Sequence, residues 1–291
     1  MLVIQLLAST LRVSTPLIFA ALGGMFSERS GVINIALEGM MLVGAFGAAA
    51  GTLWTHSPWL GSLLGMAAGA ALAGLYALFA IRLRANQIVA GMAINLLALG
   101  LTPFCCKLLY DATGSTPNIP VDERFQAAPL YLAWVLVGLC WLVMNRTRVG
   151  LRLSFAGENP QALDAAGIPV NRVRWLAVLT SGALAGLGGA SLSIFLASSF
   201  SRNMTAGRGF MALAALIFGK WRPVPAALAC LLFGFADAAQ IRLQNVVLWG
   251  KEPVPVQFIQ VLPYVVTILV LAGFVGRSRA PKALGTAFLR D

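Results

Sequence analysis

Residues 39–81 read GMMLVGAFGAAAGTLWTHSPWLGSLLGMAAGAALAGLYALFAI, and none of these 43 positions holds an aspartate, glutamate, lysine or arginine. A helix needs about 20 apolar residues to cross the hydrocarbon of a bilayer, so this stretch has room for parts of two helices. Thr55-His56-Ser57-Pro58 interrupts it near the middle. The apolar run is continuous, whereas strands of a membrane barrel would alternate in segments of about 10 residues. The stretch therefore predicts two successive membrane helices.

The composition of the whole chain agrees with a membrane protein. Of its 291 residues 59% are apolar and 11% are charged, against about 25% charged in an average soluble domain; the mean hydropathy is +0.83. These values exclude a soluble globular enzyme, a disordered chain and a collagen-like chain. The net charge of +11 comes from only 10 acids against 21 bases. Because membrane proteins keep lysine and arginine at the cytoplasmic ends of their spans, the surplus does not predict nucleic-acid binding.

Charge-free stretches elsewhere define the remaining spans. The predicted spans are 2–22, 32–54, 58–81, 87–109, 129–145, 174–198, 209–219, 223–243 and 257–276. The piece 209–219 is too short to cross unaided, so it is either half of a broken helix or tightly paired with 223–243. The predicted fold is a single all-α transmembrane domain over 1–291, a bundle of eight or nine membrane helices. It includes a broken or half-spanning helix and a short cytoplasmic helix, and we expect it in the bacterial cytoplasmic (inner) membrane.

Basic residues predict which connections are cytoplasmic. They cluster in 82–84, in 146–174 and in the tail 277–291, and these three stretches fall on one side when the spans alternate. The 110–128 connection, with three acids and one arginine, falls on the other side. Alternation also places the N-terminus outside, and the first segment has neither a basic n-region nor a small-residue cleavage site, so we expect it to be retained.

The sequence contains no familiar catalytic or cofactor motif. It has one histidine, His56, and its four cysteines lack metal-ligand spacing. It also lacks a phosphate-binding G-x-x-x-x-G-K-[ST] loop, and neither H-E-x-x-H nor G-x-S-x-G occurs. We therefore predict no catalytic residue, no metal site and no cofactor in this chain.

Glycines recur every four residues on two predicted helices. Gly61, Gly65 and Gly69 form one row, and Gly182 with Gly186 forms another. Such rows let helix backbones approach closely. They are either a sliding interface used during transport or ordinary packing of a compact bundle.

Polar residues inside the predicted spans are candidate functional residues, because they are costly in a membrane. Asn34 and Glu38 lie four apart and are expected to share one helix face; Asp237 and Gln240 start a second polar stripe, and Asn95 stands alone. Each could replace the hydration of a polar solute along a pathway, or could make an interhelical hydrogen bond that stabilises the bundle.

The connection 150–170 carries a predicted short helix. Asn159 before Pro160 is an N-cap with proline at the first helical position, and Gly167 is a C-terminal stop. A helix over 160–166 is too short to be stable alone in water. Its alanine face either enters a groove on another protein or packs on its own bundle.

Five blocks of the sequence together carry a family resemblance. They are ERSGVINIALEGMMLVGAF at 28–46, NQIVAGMAINLLALGLT at 86–102, AGENPQALDAAGI at 156–168, GRGFMALAALIFGKWRP at 207–223 and APKALG at 280–285. The chain resembles the inner-membrane permeases of ATP-binding-cassette (ABC) importers of the branched-chain amino acid, ribose and nucleoside type. It is most similar to the nucleoside, basic-membrane-lipoprotein-dependent subgroup.

The resemblance implies specific roles and partners. The ATPase-coupling loop would comprise Arg152, Gly157, Glu158, Asn159, Pro160, Ala165, Ala166 and Gly167. The blocks that contain Asn34, Glu38, Gln87 and Asn95 would lie beside the pathway. Expected partners are cassette ATPase subunits, a second, non-identical permease, a periplasmic or lipid-anchored binding protein, and the bilayer. A sugar or riboflavin permease and an autonomous ion-coupled transporter remain the alternatives.

Overall fold

The computed structural model describes residues 2–243, residue 265 and residues 279–288. Its α-helices are α1 (Leu2–Arg29), α2 (Leu37–Thr55), α3 (Pro58–Ala77), α4 (Gln87–Tyr110), α5 (Ala128–Arg146), α6 (Arg148–Glu158), α7 (Pro160–Ala165), α8 (Val170–Ala190), α9 (Arg208–Phe218) and α10 (Pro223–Leu243). Seven helical stretches in this part of the chain are long and apolar enough to cross a membrane. The predicted all-α architecture is confirmed, while the predicted span 257–276 lies outside the described residues apart from residue 265.

Short irregular helical turns extend two of these helices. A π-helical turn at Leu78–Arg82 continues α3, and another at Ser191–Leu196 continues α8. A 3-10 turn at Val121–Glu123 precedes α5. The predicted break between α2 and α3 is present, with His56 in the left-handed conformation at φ 53° and Pro58 at the start of α3.

The predicted boundaries of the first two spans were wrong. The first helix continues beyond residue 22 to Arg29, and α2 begins at Leu37 instead of residue 32. Gly31 has a φ of 95°, a left-handed conformation that ends a helix readily at glycine. The amides of Gly31 and Val32 donate back to the carbonyls of Glu28 and Ser27. Residues 30–36 therefore form a non-helical link, here called the α1–α2 junction.

The glycine rows lie where α2, α3 and α8 meet. A Cβ on Gly69 would overlap the Gly182 carbonyl, and a Cβ on Gly186 would overlap the Gly65 carbonyl. On the third helix, a Cβ on Gly44 would overlap the backbone of Gly186. Since any side chain would push these backbones apart, the glycines set how closely the three helices approach.

A Gly186→Ala substitution is expected to destabilise the bundle. The added methyl group meets the backbone of α3, and overpacking of this kind costs about 1–3 kcal/mol. Gly138→Ala on α5 is the matched control, because no atom of the described residues lies within 4 Å of a Cβ at that position. There the better helix propensity of alanine should leave stability unchanged or slightly higher. Thermal unfolding in detergent compares the two, and equal unfolding temperatures would contradict the packing assignment.

The three basic stretches share one end of the bundle, here called the basic end. The Ala283 amide donates to the Gly157 carbonyl at 2.8 Å, and the Gly285 amide donates to the Gly31 carbonyl at 3.0 Å. The Ile33 amide donates at 2.8 Å to the side chain of Gln87. Gln87 follows the 82–84 stretch in the sequence, so this stretch also lies near the junction.

The loop between α4 and α5 lies at the opposite end. There His56 Nδ1 lies 2.7 Å from Glu123 Oε1, and Trp59 packs edge-on against Phe125. The acidic connection and the basic connections are therefore separated along the length of the bundle.

Helix α9 covers only part of the thickness of the bundle. The non-helical segment before it is held at the opposite end by hydrogen bonds from Ile119 to the Ser198 carbonyl and from Phe200 to Thr116. After α9, the Trp221 indole donates to Glu28 near the basic end at 2.6 Å. Segment 209–219 is therefore half of a broken helix, the first of the two predicted alternatives. It also packs against α10.

Candidate functional site

Two polar side chains of α4 hold the α1–α2 junction. Gln87 accepts from the Ile33 amide. Asn95 makes two bonds: its Oδ1 accepts from the Gly39 amide at 2.8 Å, and its Nδ2 donates to the Ile35 carbonyl at 3.0 Å. Because these backbone groups are outside a regular helix or at its start, they have no ordinary helical partner. The two amides therefore satisfy the backbone of a buried non-helical link, as a membrane interior requires.

Asn34 lies inside the junction with no exposed surface. Its Nδ2 donates to Ser181 Oγ on α8 at 2.9 Å, and its backbone amide lies beside the Glu28 carboxylate of α1. Its Oδ1 is buried and has no hydrogen-bond partner within the described ranges. Asn34 thus connects the junction to α8 and lies next to a buried carboxylate of α1.

Glu38 holds the broken helix in place. It is the second residue of α2, and its two carboxylate oxygens accept from the amides of Gly207 at 2.8 Å and Gly209 at 2.7 Å. These amides belong to the N-terminal end of α9, where a helix leaves unpaired donors and a partial positive charge. A Cβ on Gly209 would lie 2.5 Å from the Glu38 amide nitrogen. The carboxylate and the glycine together bring the start of α9 directly against α2.

The expectation that Asn34 and Glu38 share a helix face was wrong, because Asn34 precedes the start of α2. The structure nevertheless brings four of the six candidate residues, Asn34, Glu38, Gln87 and Asn95, to one buried region around the junction. The other two, Asp237 and Gln240, lie on α10 and are only partly buried. The Asp237 carboxylate interacts electrostatically with Arg208 at the start of α9.

The predicted coupling loop contains two helices. The stretch that holds Arg152, Gly157 and Glu158 forms α6, a helix that was not predicted. Thr147 caps it by accepting from the Gly150 amide at 3.3 Å. The buried positions on α6 are Gly150, Leu153, Ala156 and Gly157. Gly157 lies so close to Arg29 that a Cβ would overlap the Arg29 carbonyl. The helix is thus held tightly on the bundle, while Arg152 and Glu158 are exposed.

Helix α7 has the predicted caps. Asn159 Oδ1 accepts from the Ala162 amide at 3.1 Å, Pro160 is the first helical residue, and Gly167 has a φ of 77°. Leu163 anchors the helix in a small apolar cluster with Ala156 and Val170. The opposite side of α7, including Ala165 and Ala166, is exposed.

A groove of about 400 Å³ runs between α6 and α7 at the basic end. Its lining residues are Arg148, Leu151, Arg152, Phe155, Ala162, Leu163, Ala166 and Ile168. An apolar floor with two arginines at its side is suited to receive a protein surface that carries an apolar side chain and acidic groups.

Two buried ionisable residues were not selected from the sequence. Glu28 is 4% exposed and Arg174 is 2% exposed. Because both lie close to the ends of predicted spans, the sequence predicts them to be ordinary charged residues of loops. Arg174 lies inside α8, which starts at Val170, four residues before the predicted start of this span. As for metal binding, no three histidine, cysteine, aspartate or glutamate side chains come together in the part of the chain described here.

Comparison with known proteins identifies the family. Residues 6–271 match the family described as "Branched-chain amino acid transport system / permease component". The chain is 41% identical to the nucleoside ABC transporter permease protein NupC of Lactococcus lactis subsp. cremoris, covering 98% of this chain and 97% of that protein. It is also 41% identical to the guanosine ABC transporter permease protein NupQ of Bacillus subtilis, covering 97% and 95%.

A more distant relative occurs in the same Lactococcus strain. The nucleoside ABC transporter permease protein NupB is 22% identical over 95% of this chain and 82% of that protein. Among solved structures, an inward-facing putative metal-chelate type ABC transporter matches with a TM-score of 0.48 and 17% identity, over 92% of this chain and 85% of that one. With seven candidate spans among the described residues and a family match over most of its length, this multi-pass membrane protein belongs to the branched-chain amino acid transport system permease component family.

Proposed function

We propose that this chain is the permease subunit of an ABC importer that carries a nucleoside-like solute across the bacterial cytoplasmic membrane. The observation that carries the proposal is 41% identity over nearly the full chain to two permeases whose names specify nucleoside and guanosine transport. The basic end would face the cytoplasm, in keeping with the distribution of lysine and arginine.

In this proposal ATP is hydrolysed on a separate cassette subunit that docks on α6 and α7. The sequence carries no phosphate-binding loop of its own. The exposed alanine side of α7 and the adjacent groove give an apolar, arginine-flanked surface on which such a subunit could bind.

The second permease of the complex would be a different chain. One Lactococcus strain has two nucleoside permeases that both resemble this chain, one at 41% and the other at 22% identity. We propose that this chain takes the position of the first and pairs with a homologue of the second. A periplasmic or lipid-anchored binding protein would deliver the solute from the opposite end.

Uptake measurements in cells test the choice of solute. Deleting the gene should abolish saturable uptake of radiolabelled guanosine, and the plasmid-borne gene should restore it. Unlabelled adenosine, ribose, glucose and riboflavin are then added in excess to separate wells. If adenosine competes with guanosine while ribose, glucose and riboflavin do not, the nucleoside proposal is supported. Uptake that the deletion leaves intact would contradict it, as would a deletion that removes uptake of ribose, glucose or riboflavin instead.

Substitution of the α7 cap is expected to uncouple ATP hydrolysis from uptake. Asn159→Ala removes the bond to the Ala162 amide, and loss of an N-cap costs about 1 kcal/mol, which a six-residue helix cannot easily absorb. We expect uptake to fall about fivefold, while the ATPase remains bound and active. Glu158→Ala, one residue earlier, tests the same surface.

Asn86→Ala is the matched control for this substitution. Asn86 also caps a helix at the basic end, with bonds from the Ile88 and Val89 amides, but α4 is long and packed along its length. Its loss should lower thermal stability slightly and leave the ratio of ATP hydrolysed to solute transported unchanged. An unchanged ratio in Asn159→Ala as well would contradict the coupling role of α7.

A further inference from the structure

Arg174 joins three separate segments at the basic end. It lies in the second turn of α8 and is almost completely buried. Its Nε donates to the Ser30 carbonyl at 3.1 Å, its Nη2 to the Ala156 carbonyl at 3.2 Å and its Nη1 to the Thr286 carbonyl at 2.8 Å. A guanidinium holds its five N–H donors in a rigid planar fork. One side chain therefore fixes the relative positions of the α1–α2 junction, the end of α6 and the C-terminal tail.

The tail makes its own backbone bonds to the same two segments. Besides its contact with Arg174, it donates from Ala283 to the Gly157 carbonyl and from Gly285 to the Gly31 carbonyl. Gly285 has a φ of 81°, a conformation that glycine adopts without strain. The tail block APKALG, one of the five blocks that carry the family resemblance, thus lies across the junction and α6. Arg174 and residues 29–31, 156–157 and 283–286 are called here the Arg174 cluster.

The backbones in the cluster are in direct contact. A Cβ on Gly31 would lie 2.8 Å from Arg174 Nη2 and 3.1 Å from the Ala283 carbonyl oxygen. A Cβ on Gly157 would overlap the Arg29 carbonyl and lie 3.1 Å from the Gly31 amide nitrogen. Close-packed groups of this kind have no free space to absorb a displacement, so movement of one segment strains the others.

The cluster connects the surface of α7 to the polar region around the junction. Ala156, whose carbonyl Arg174 binds, also packs with Leu163 of α7. Ser30, whose carbonyl Arg174 also binds, leads within four residues to Asn34 and its bond to α8. If a buried guanidinium loses a carbonyl partner, its charge stays buried without that hydrogen bond, which costs free energy. The cluster therefore resists separation of the segments. A shift of α7 is therefore expected to carry the junction with it.

We propose that Arg174 and the tail 281–286 form the mechanical link that transmits movement of α7 to the α1–α2 junction. Arg174 is then a positioning residue for transport, and the tail is part of the coupling apparatus. This inference rests on the proposed function, since it assumes that an ATPase moves α7.

The test uses the purified complex of this chain with its ATPase, second permease and binding protein, in liposomes, with guanosine as the solute. Arg174→Gln and the double variant Ala283→Pro/Gly285→Pro each break the link at a different point. The double variant removes the two tail amides that donate to Gly157 and Gly31. Because proline cannot adopt the φ of 81° found at Gly285, it also changes the path of the tail, while every residue of the bundle stays the same. Arg172→Gln, exposed on the same helix, and Ala287→Pro, exposed in the same tail, are the matched controls.

Both link variants are expected to lower guanosine uptake about tenfold, the effect of losing one or more bonds to a charged group or a buried backbone group. ATP hydrolysis should stay within about twofold of wild type, so the ATP used per guanosine rises. Arg174→Lys should recover part of the uptake, because lysine keeps a charged donor. The recovery should be incomplete, because one ammonium group cannot reach three carbonyls at once. The controls should match wild type in both activities.

Other outcomes overturn the inference. If uptake and hydrolysis fall in proportion, or if the ATPase dissociates from both link variants, the cluster is only structural. Unchanged uptake in the tail double variant, whose bundle should fold even if Arg174→Gln does not, also contradicts the link. A wild-type complex that shows no ATP-dependent guanosine uptake would instead refute the proposed function.

Discussion

A Glu38→Leu variant is expected to transport solute about a hundredfold more slowly than wild type and to unfold at a lower temperature. The substitution removes both oxygens that accept from the Gly207 and Gly209 amides. Bonds to a charged acceptor contribute about 1.5–3 kcal/mol each, and about 2.7 kcal/mol corresponds to a hundredfold change in rate. The two amides would also be left without partners in a buried site. The start of α9 would then no longer be held against α2.

Glu38→Gln separates the contribution of the charge from that of the geometry. A glutamine keeps one acceptor oxygen but places an NH₂ donor against the second amide, so its uptake should lie between wild type and Glu38→Leu. Glu123→Gln is the control at the opposite end, where the partly buried carboxylate contacts exposed His56, and an ion pair with one partner open to solvent contributes little. Guanosine uptake and thermal unfolding are measured on all three variants. If Glu38→Leu matches Glu123→Gln in both, Glu38 does not hold the broken helix.

Asn95→Leu is expected to lower the free energy of unfolding by about 2–4 kcal/mol and to reduce uptake by a similar factor to Glu38→Leu. It leaves the Gly39 amide and the Ile35 carbonyl without the partners that Asn95 supplies, and each unsatisfied buried group costs about 1–3 kcal/mol. The junction between α1 and α2 would lose the Asn95 connection to α4 and keep that of Gln87. Chemical unfolding in detergent gives the stability, and vesicle uptake gives the activity.

Thr102→Val is the matched control for Asn95→Leu on the same helix. Thr102 is also buried, but its hydroxyl donates to the Ala98 carbonyl within α4 and, among the described residues, bonds to no other segment. Its replacement should therefore cost little in stability or uptake. A stable and active Asn95→Leu protein would mean that the junction is held by the remaining contacts alone, including those of Gln87 and Tyr76.

Much of the helical frame could be predicted from the sequence, because charge spacing marks where helices leave the membrane. The α2–α3 break, the half-helix at 209–219 and the capped helix after Asn159 are local features, written in a few adjacent residues. The resemblance of the five blocks also led to the family that the comparisons show. The close glycine contacts between α3 and α8 depend on two helices far apart in the chain, but the four-residue spacing already indicated their faces.

The α1–α2 junction could not be predicted from local pattern. The stretch from Val32 to Leu37 has apolar residues that suit a helix, yet distant side chains from α3 and α4 satisfy its backbone in another conformation. Helix α6 was not predicted either, because its arginines are typical of a charged loop between spans. The buried state of Arg174 depends on carbonyls 144, 18 and 112 residues away in sequence, and no local signal reports those contacts.

The most direct test of the central claim is guanosine accumulation in liposomes that contain the purified chain, with and without its ATPase and second permease. The complete complex, supplied with binding protein outside and ATP at the nucleotide-binding face, should accumulate guanosine, and omission of ATP or the ATPase should stop it. The chain alone should accumulate none under an imposed proton or sodium gradient. Gradient-driven guanosine accumulation by the chain alone would contradict the account and identify an autonomous secondary transporter.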